Sequence, residues 1–282
     1  MSAGRRARTR RGVADVVTYA ALLLACGFVL LPIVWALSTS VKLPQEIHAG
    51  PHWWPHAPTL HNYLGGALGA KFQRYIANSL LVAAATLALS VGLAVHAAYA
   101  VARRRFFGKN VLLFLIWATI MIPGVSVVVP LYTLSVDVGL YDTYAVLVLV
   151  YAAWLIPTLI WLLRGFVAAI PPSLEEAALV DGCTKLRAFY LVVLPLLRPG
   201  LGAAAVLVFV TIWNDFLIGF ALTLSDEHRL LQVGLQAFVT EGGIDWGPMM
   251  AATIFALLPA GLLFTFLQRA FIQGVTGGAV KG

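Results

Sequence analysis

The stretch Ile170-Pro171-Pro172-Ser173-Leu174-Glu175-Glu176-Ala177-Ala178-Leu179-Val180-Asp181-Gly182 lies between two long apolar runs. Ser173 is placed to be a helix N-cap, and Glu176, three residues on, completes an S-x-x-E capping box. Gly182 is a natural left-handed stop. The local physics predicts a two-turn helix, bounded sharply at both ends. Leu174, Ala177 and Ala178 share one face of that helix, with Asp181 next along it. Side chains as small as alanine let the surface of another protein come close, so the chemistry of this stretch is docking.

Asp215 is the other residue that stands out. Apart from Asp15 at the edge of the first apolar run, it is the one acidic residue inside the hydrophobic segments. An intramembrane carboxylate serves a proton relay, hydrogen bonds with the hydroxyls of a solute, or a structural bond to a neighbouring helix. Trp213 and Asn214 beside it share these alternatives. His96 lies in the second apolar run with no evident carboxylate partner, which favours a helix contact over a ligand role. His48, His52, His56 and His61 cluster with Trp53 and Trp54. Their spacing gives no H-x3-H pair on a helix, so a wet loop with interfacial tryptophans is the better reading, and no metal site is expected. No catalytic constellation is read in this chain. Phe107-Gly108-Lys109-Asn110 lacks both the earlier glycine and the hydroxyl of a G-x4-G-K-[ST] phosphate loop.

The elements that must carry these residues follow from composition. Of 282 residues, 61% are hydrophobic and 11% charged, against roughly 25% charged in soluble domains. Mean hydropathy is +0.89. Lipid must solvate much of this surface, and long continuous apolar runs select helices over a barrel. Runs long enough to span a bilayer occur near residues 13–37, 75–101, 111–136, 144–163, 199–224 and 248–267, predicting an all-α integral membrane domain of six helices over residues 1–282. Cys26 and Cys183 imply no disulfide framework. The arginines of residues 5–11 and the sequence up to Cys26 resemble a signal peptide, but the apolar run continues to Leu37, as an uncleaved anchor does.

The net charge of +7 would suggest nucleic acid in a soluble protein. Here the basic residues sit at the ends of apolar runs, where they act as topology signals and lipid contacts. Of the 19 Lys and Arg, 15 fall in the N-terminal arm, residues 103–110, the loop 164–198 and the tail 269–282. The positive-inside rule makes these cytoplasmic, with both termini inside a multi-pass cell-membrane protein.

From Glu176 the chain reads E-A-A-x3-G-x9-V-x-L-P, ending at Leu194-Pro195. This resembles the EAA motif of ABC importer permeases, with Val192 where the family usually has isoleucine. Ile122-Pro123, Pro130-Leu131-Tyr132, Gly139-Leu140-Tyr141-Asp142-Thr143, Trp213-Asn214-Asp215 and the tail from Gly278 to Gly282 are similar to the second, shorter permease of the maltose-transporter type. The resemblance covers nearly the whole chain. It implies a type I ABC importer permease fold, and a sugar-class permease that forms half of a translocation pathway.

In that family the EAA segment is the coupling helix, so Glu176, Ala177, Ala178, Gly182, Leu194 and Pro195 would contact a cytoplasmic ATPase. The partners implied are a second permease, an ATPase pair, an extracytoplasmic solute-binding protein and the sugar. ATP and Mg would sit on partner subunits, and this chain would bind no cofactor. The resemblance also implies that Glu241-Gly242-Gly243 reaches the binding protein, although the same residues suit an ordinary connecting turn. Gly278 and Lys281 in the tail would reach the ATPases. The rival readings are a stand-alone proton-coupled carrier, which would carry buried charge pairs and internal repeats, and a membrane scaffold that transports nothing.

Overall fold

A computed structural model describes the backbone of residues 3–279, with side chains for residues 15–266 except Ala67. Helices dominate: α1 (Ala3–Ser40), α2 (Ala70–Arg103), α3 (Lys109–Ile120), α4 (Gly124–Asp137), α5 (Tyr144–Ala169), α6 (Pro172–Val180), α7 (Lys185–Leu196), α8 (Arg198–Asn214), α9 (Leu217–Leu222) and α10 (Trp246–Ala279). The chain divides into two compact units, residues 1–69 with 238–255 and residues 70–237 with 256–282.

Four helices are long and apolar enough to cross a bilayer, over Asp15–Ser40, Ala70–Arg103, Tyr144–Ala169 and Trp246–Phe266. Two bent pairs raise the number to six if each pair is one span. The first pair occupies the predicted run 111–136, which is sharply broken. That run is α3 and α4, bent by 93°. The break has a local cause: Pro123 disfavours helical geometry at Ile122 before it, and Pro123 itself is extended (φ −62°, ψ 128°) as the N-cap of α4. The expected span 199–224 is likewise interrupted. Helix α8 ends at Asn214, Asp215 is extended (φ −75°, ψ 130°), and α9 begins at Leu217. Before α8, α7 departs at 71°.

The core of the second unit is the packing of α2 against α5, with α8 laid on both. On α2 the fully buried positions Val82, Thr86, Ser90, Ala94 and Ala98 recur every four residues. On α5 the buried positions Leu147, Tyr151, Leu155, Leu159, Leu163 and Val167 keep the same interval. Rows spaced by four form ridges along a helix surface. Small residues on α2 set opposite large ones on α5 let the backbones approach closely, which is how helices associate where lipid removes the hydrophobic drive.

In the first unit, α1 is exposed on every side from Asp15 to Val34, as suits a helix that is apolar all round and lies in lipid. Its C-terminal end is tied to the following loop. Asn62 donates to the carbonyls of Ser40 (3.0 Å) and Lys42 (2.8 Å), and the Ser38 hydroxyl donates to the Trp53 carbonyl. The unit also holds a small antiparallel hairpin, β1 (Val239–Thr240) with β2 (Gly243–Ile244), which the sequence did not lead us to expect.

Candidate functional site

The predicted two-turn helix is α6, Pro172–Val180, but its beginning differs from the expectation. Pro171 occupies the N-cap and Pro172 the first helical turn, and no side chain caps the helix. Ser173 therefore lies inside the helix, and the capping box with Glu176 does not form. Proline explains this: its fixed φ and missing N–H suit the first helical position, so the helix starts two residues early. The other end is as read. Gly182 has φ +87°, Cys183 N–H donates to the Ala178 carbonyl (2.9 Å) and Gly182 N–H to that of Leu179 (3.1 Å). Together these bonds form a Schellman C-cap.

The face of α6 also needs correction. Ala178 is buried, whereas Leu174, Ala177, Val180 and Asp181 are exposed. Ala177 can meet a partner; Ala178 packs inward. The two glutamates separate in the same way. Glu176 is exposed, while Glu175 turns toward α2. Arg103 Nε donates to Glu175 Oε1 (2.6 Å), Tyr99 hydroxyl donates to Oε2 (2.8 Å), and Arg103 Nη2 donates to the Ile170 carbonyl (2.6 Å). The side chains of Arg103 and Glu175 are only 15% and 13% exposed. Beside them opens a cleft of about 300 Å3, lined by Tyr99, Arg103, Arg104, Glu175, Glu176 and Lys185. The sequence reading missed Tyr99, Arg103 and Glu175. Arg103 was taken as a topology charge, and pairing across 72 residues leaves no local signal.

Past Gly182 the chain is held rigidly. Thr184 caps α7, its hydroxyl accepting from Arg187 N–H (3.3 Å). Within α7, Phe189–Val193 form a π turn immediately before Leu194-Pro195. Pro195 has no N–H for the Leu191 carbonyl, and a wider turn accommodates its ring. Leu194 is half-buried and Pro195 exposed. His96, on α2, contacts this turn through a bond of 2.8 Å between Nε2 and the Tyr190 hydroxyl.

Trp213, Asn214 and Asp215 have three different environments. Trp213 is buried and stacks on Phe209 (centroids 5.0 Å apart). Asn214 is exposed and donates to the Val210 carbonyl (2.9 Å). Asp215 is half-buried at the α8–α9 break. Its Oδ2 accepts from the Tyr151 hydroxyl (2.7 Å) and from the N–H groups of Ile218 (3.0 Å) and Gly219 (3.2 Å). A carboxylate so placed caps the first turn of α9 and complements its dipole.

A polar clasp sits at the other end of α2. Asn78 Nδ2 donates to the carbonyls of Glu227 (2.8 Å) and Arg229 (2.9 Å), and its Oδ1 accepts from the Tyr144 hydroxyl (2.8 Å). Ser79 Oγ accepts from Leu231 N–H (2.8 Å). The Gly139–Thr143 turn supplies Asp142, in left-handed geometry (φ 58°), whose carboxylate accepts from the N–H groups of Leu224 and Ser225. Burial raises the Asp142 carboxyl, but these bonds and nearby His228 outweigh it, so Asp142 lies below the usual carboxylate value. Asp226 is also lowered, by hydrogen bonds from Lys71 and Tyr75 and by the charges of Lys71 and Arg229. Gly234 is obligatory here, since an added Cβ would lie 2.1 Å from Tyr75 Cδ2.

Glu241, Gly242 and Gly243 are all exposed at the tip of the β1–β2 hairpin. Only Gly243 needs a glycine conformation, at φ +121°. Gly278 lies beyond the described side chains, and Lys281 lies outside the described residues.

Over residues 90–277 the chain matches the family model for the binding-protein-dependent transport system inner membrane component. It is 35% identical to the sulfoquinovosyl glycerol transport system permease protein of Agrobacterium fabrum, over 93% of this chain and 92% of that one. It is 36% identical to the trehalose transport system permease protein of Mycobacterium tuberculosis, over 94% and 98%. The fold matches a chain of a bacterial ABC transporter involved in the import of the acidic polysaccharide alginate, with a TM-score of 0.81, 22% identity and coverage of 94% and 98%. With two thirds of its length inside the family model and relatives that align from end to end, the chain belongs to the binding-protein-dependent transport system inner membrane components.

Proposed function

We propose that this chain is one permease subunit of an ATP-driven sugar importer. It forms half of the translocation pathway and couples to a cytoplasmic ATPase through residues 173–195. The observation that carries the coupling role is the state of α6: a sharply ended helix, anchored to α2 through Glu175, that offers Leu174, Ala177 and Glu176 outward. A helix fixed to a membrane span on one face and open on the other transmits the movement of a partner to that span. The sugar class is supported by the names of the relatives.

In this reading the partners are a second permease, an ATPase pair carrying ATP and Mg, and an extracytoplasmic binding protein that meets Glu241-Gly242-Gly243. The loops holding 15 of the 19 basic residues face the cytoplasm, and Gly278 and Lys281 reach the ATPases. Three measurements test the proposal together. Cells lacking this chain should lose uptake of one labelled sugar from a panel. The ATPase should co-purify with the intact chain. Reporter fusions after Gly282 and within residues 225–247 should report opposite compartments. Uptake that persists without the chain, or an absent ATPase, overturns it.

A further inference from the structure

At the end of α1 the first unit contains a cavity of about 390 Å3, lined by Trp35, Thr39, Lys42, Ile47, Trp246 and Met250 among others. That size falls within the range of small-molecule sites, which are typically apolar and aromatic with a few placed polar groups. Two polar groups are left incompletely satisfied by the fold. Thr39 is 6% exposed, and its hydroxyl is buried with no hydrogen-bond partner. Lys42 is 3% exposed and has no carboxylate partner among the described residues. Glu46, four residues on, is engaged by His56 instead (2.7 Å).

The Lys42 ammonium donates to the His52 carbonyl and lies 4.9 Å from the centroid of Trp35. An ammonium has three donors and no acceptor, so donors remain for a ligand. A buried cation without a counter-charge is costly, and an anion from outside removes that cost. Trp35 is taken up by Lys42 and Trp53, whereas Trp246 lines the cavity with an indole of the kind on which a sugar ring stacks.

We propose that this cavity binds a sugar ring bearing one anionic substituent, a carboxylate or sulfonate. The substituent lies against Lys42, a ring hydroxyl meets Thr39 Oγ1, and the ring stacks on Trp246. The sugar part of the proposal rests on the transport reading above; the anion part rests on Lys42 alone. The site is built from residues of the first unit of this chain.

The test is direct binding without ATP. Glucuronate, with glucose as the neutral probe, is titrated against the purified full-length protein in nanodiscs and followed by saturation-transfer NMR. Glucuronate should bind more tightly than glucose. Thr39→Val, which removes only the hydroxyl, should weaken glucuronate several-fold. Lys42→Gln should remove the preference for glucuronate. Lys42 also ties the loop, so Thr39→Val carries the test if Lys42→Gln does not fold. No glucuronate binding, or equal binding by wild type and Thr39→Val, overturns the site. Sugar uptake that survives such a result leaves the transport reading standing and removes the site alone; Thr39-dependent binding without uptake does the reverse.

Discussion

Arg103 Nε and Glu175 Oε1, 72 residues apart in sequence, lie 2.6 Å apart and join the end of α2 to the first turn of α6. The pair is largely shielded from water, and the Tyr99 hydroxyl and the Ile170 carbonyl share it. Removing one partner leaves the other charge uncompensated, a larger loss than for an exposed ion pair. Glu175 therefore positions α6, while Glu176 on the same helix is left exposed.

Glu175→Gln should loosen α6 from α2 by about 1.5–3 kcal/mol, the range for hydrogen bonds to charged groups. The check is amide hydrogen exchange over Pro172–Ala188, which should accelerate in this variant while the α2 core around Thr86 is unchanged. Unaltered protection would mean that the pair carries no positional load.

Glu176→Gln tests a different property. The capping box is absent, so Gln cannot act through the helix end, and the exposed Glu176 has no hydrogen bond to lose among the described residues. The expected result is normal protection of α6 with weaker co-purification of the ATPase. The association that remains should also be less sensitive to salt. Equal association at all salt concentrations would remove Glu176 from the interface.

Asp215→Ala should impair assembly, because the Tyr151 hydroxyl and two α9 N–H groups lose their acceptor; loss of a cap typically costs about 0.5–2 kcal/mol. Asp215→Asn keeps one acceptor oxygen and should assemble like wild type. Uptake by the two variants, normalised to assembled complex, then reads the role of the charge. If Asp215→Asn assembles but does not transport, the carboxylate acts on solute as well as structure.

The clasp of Asp142 predicts a pH dependence. Its folded-state value lies below the ordinary carboxylate value of 3.8. The stabilisation is therefore complete above the unfolded value and is lost as pH falls through the folded one. Thermal unfolding in detergent should show wild type beginning to lose its advantage over Asp142→Asn as pH falls through the ordinary carboxylate range at about 4, and losing more of it below that. A difference that stays constant as pH falls through and below that range would show that the Asn variant fails for reasons of geometry.

The sequence made the membrane class and the α6 segment readable because both rest on local pattern: apolar run length for the first, Pro172 and Gly182 for the second. It misled wherever two local signals competed. Ser173 and Glu176 spelled a capping box, but the Pro171-Pro172 pair set the start. Hydropathy averages over Pro123 and Asp215, so runs 111–136 and 199–224 carry no sign of how sharply each is broken. Contacts between distant segments, such as Arg103 with Glu175 or Asn78 with Glu227, have no periodicity to betray them. The Gly139–Thr143 turn came closest: Asp142 was noted for its resemblance to a family motif, and the structure supplies the physical reason, a left-handed residue capping the clasp.

Gly182 separates backbone demand from packing. No atom beyond its chain neighbours lies within 4 Å of a Cβ built there, and its φ is +87°. Any cost of substitution is therefore conformational. Left-handed geometry costs an L-residue roughly 1–2 kcal/mol, and most for a β-branched one, whereas asparagine tolerates it best among non-glycine residues. The expected order of coupling is glycine, then Gly182→Asn, then Gly182→Ala, with Gly182→Val lowest, because strain at this exit displaces the carbonyls of Ala178 and Leu179 from the Schellman bonds. The measurement is binding-protein-stimulated ATP hydrolysis by the reconstituted complex, beside co-purification of the ATPase. If steric contact with the ATPase governs instead, Asn, larger than Ala, should be worse than Ala. The relative position of these two variants decides between strain in this chain and a clash with its partner.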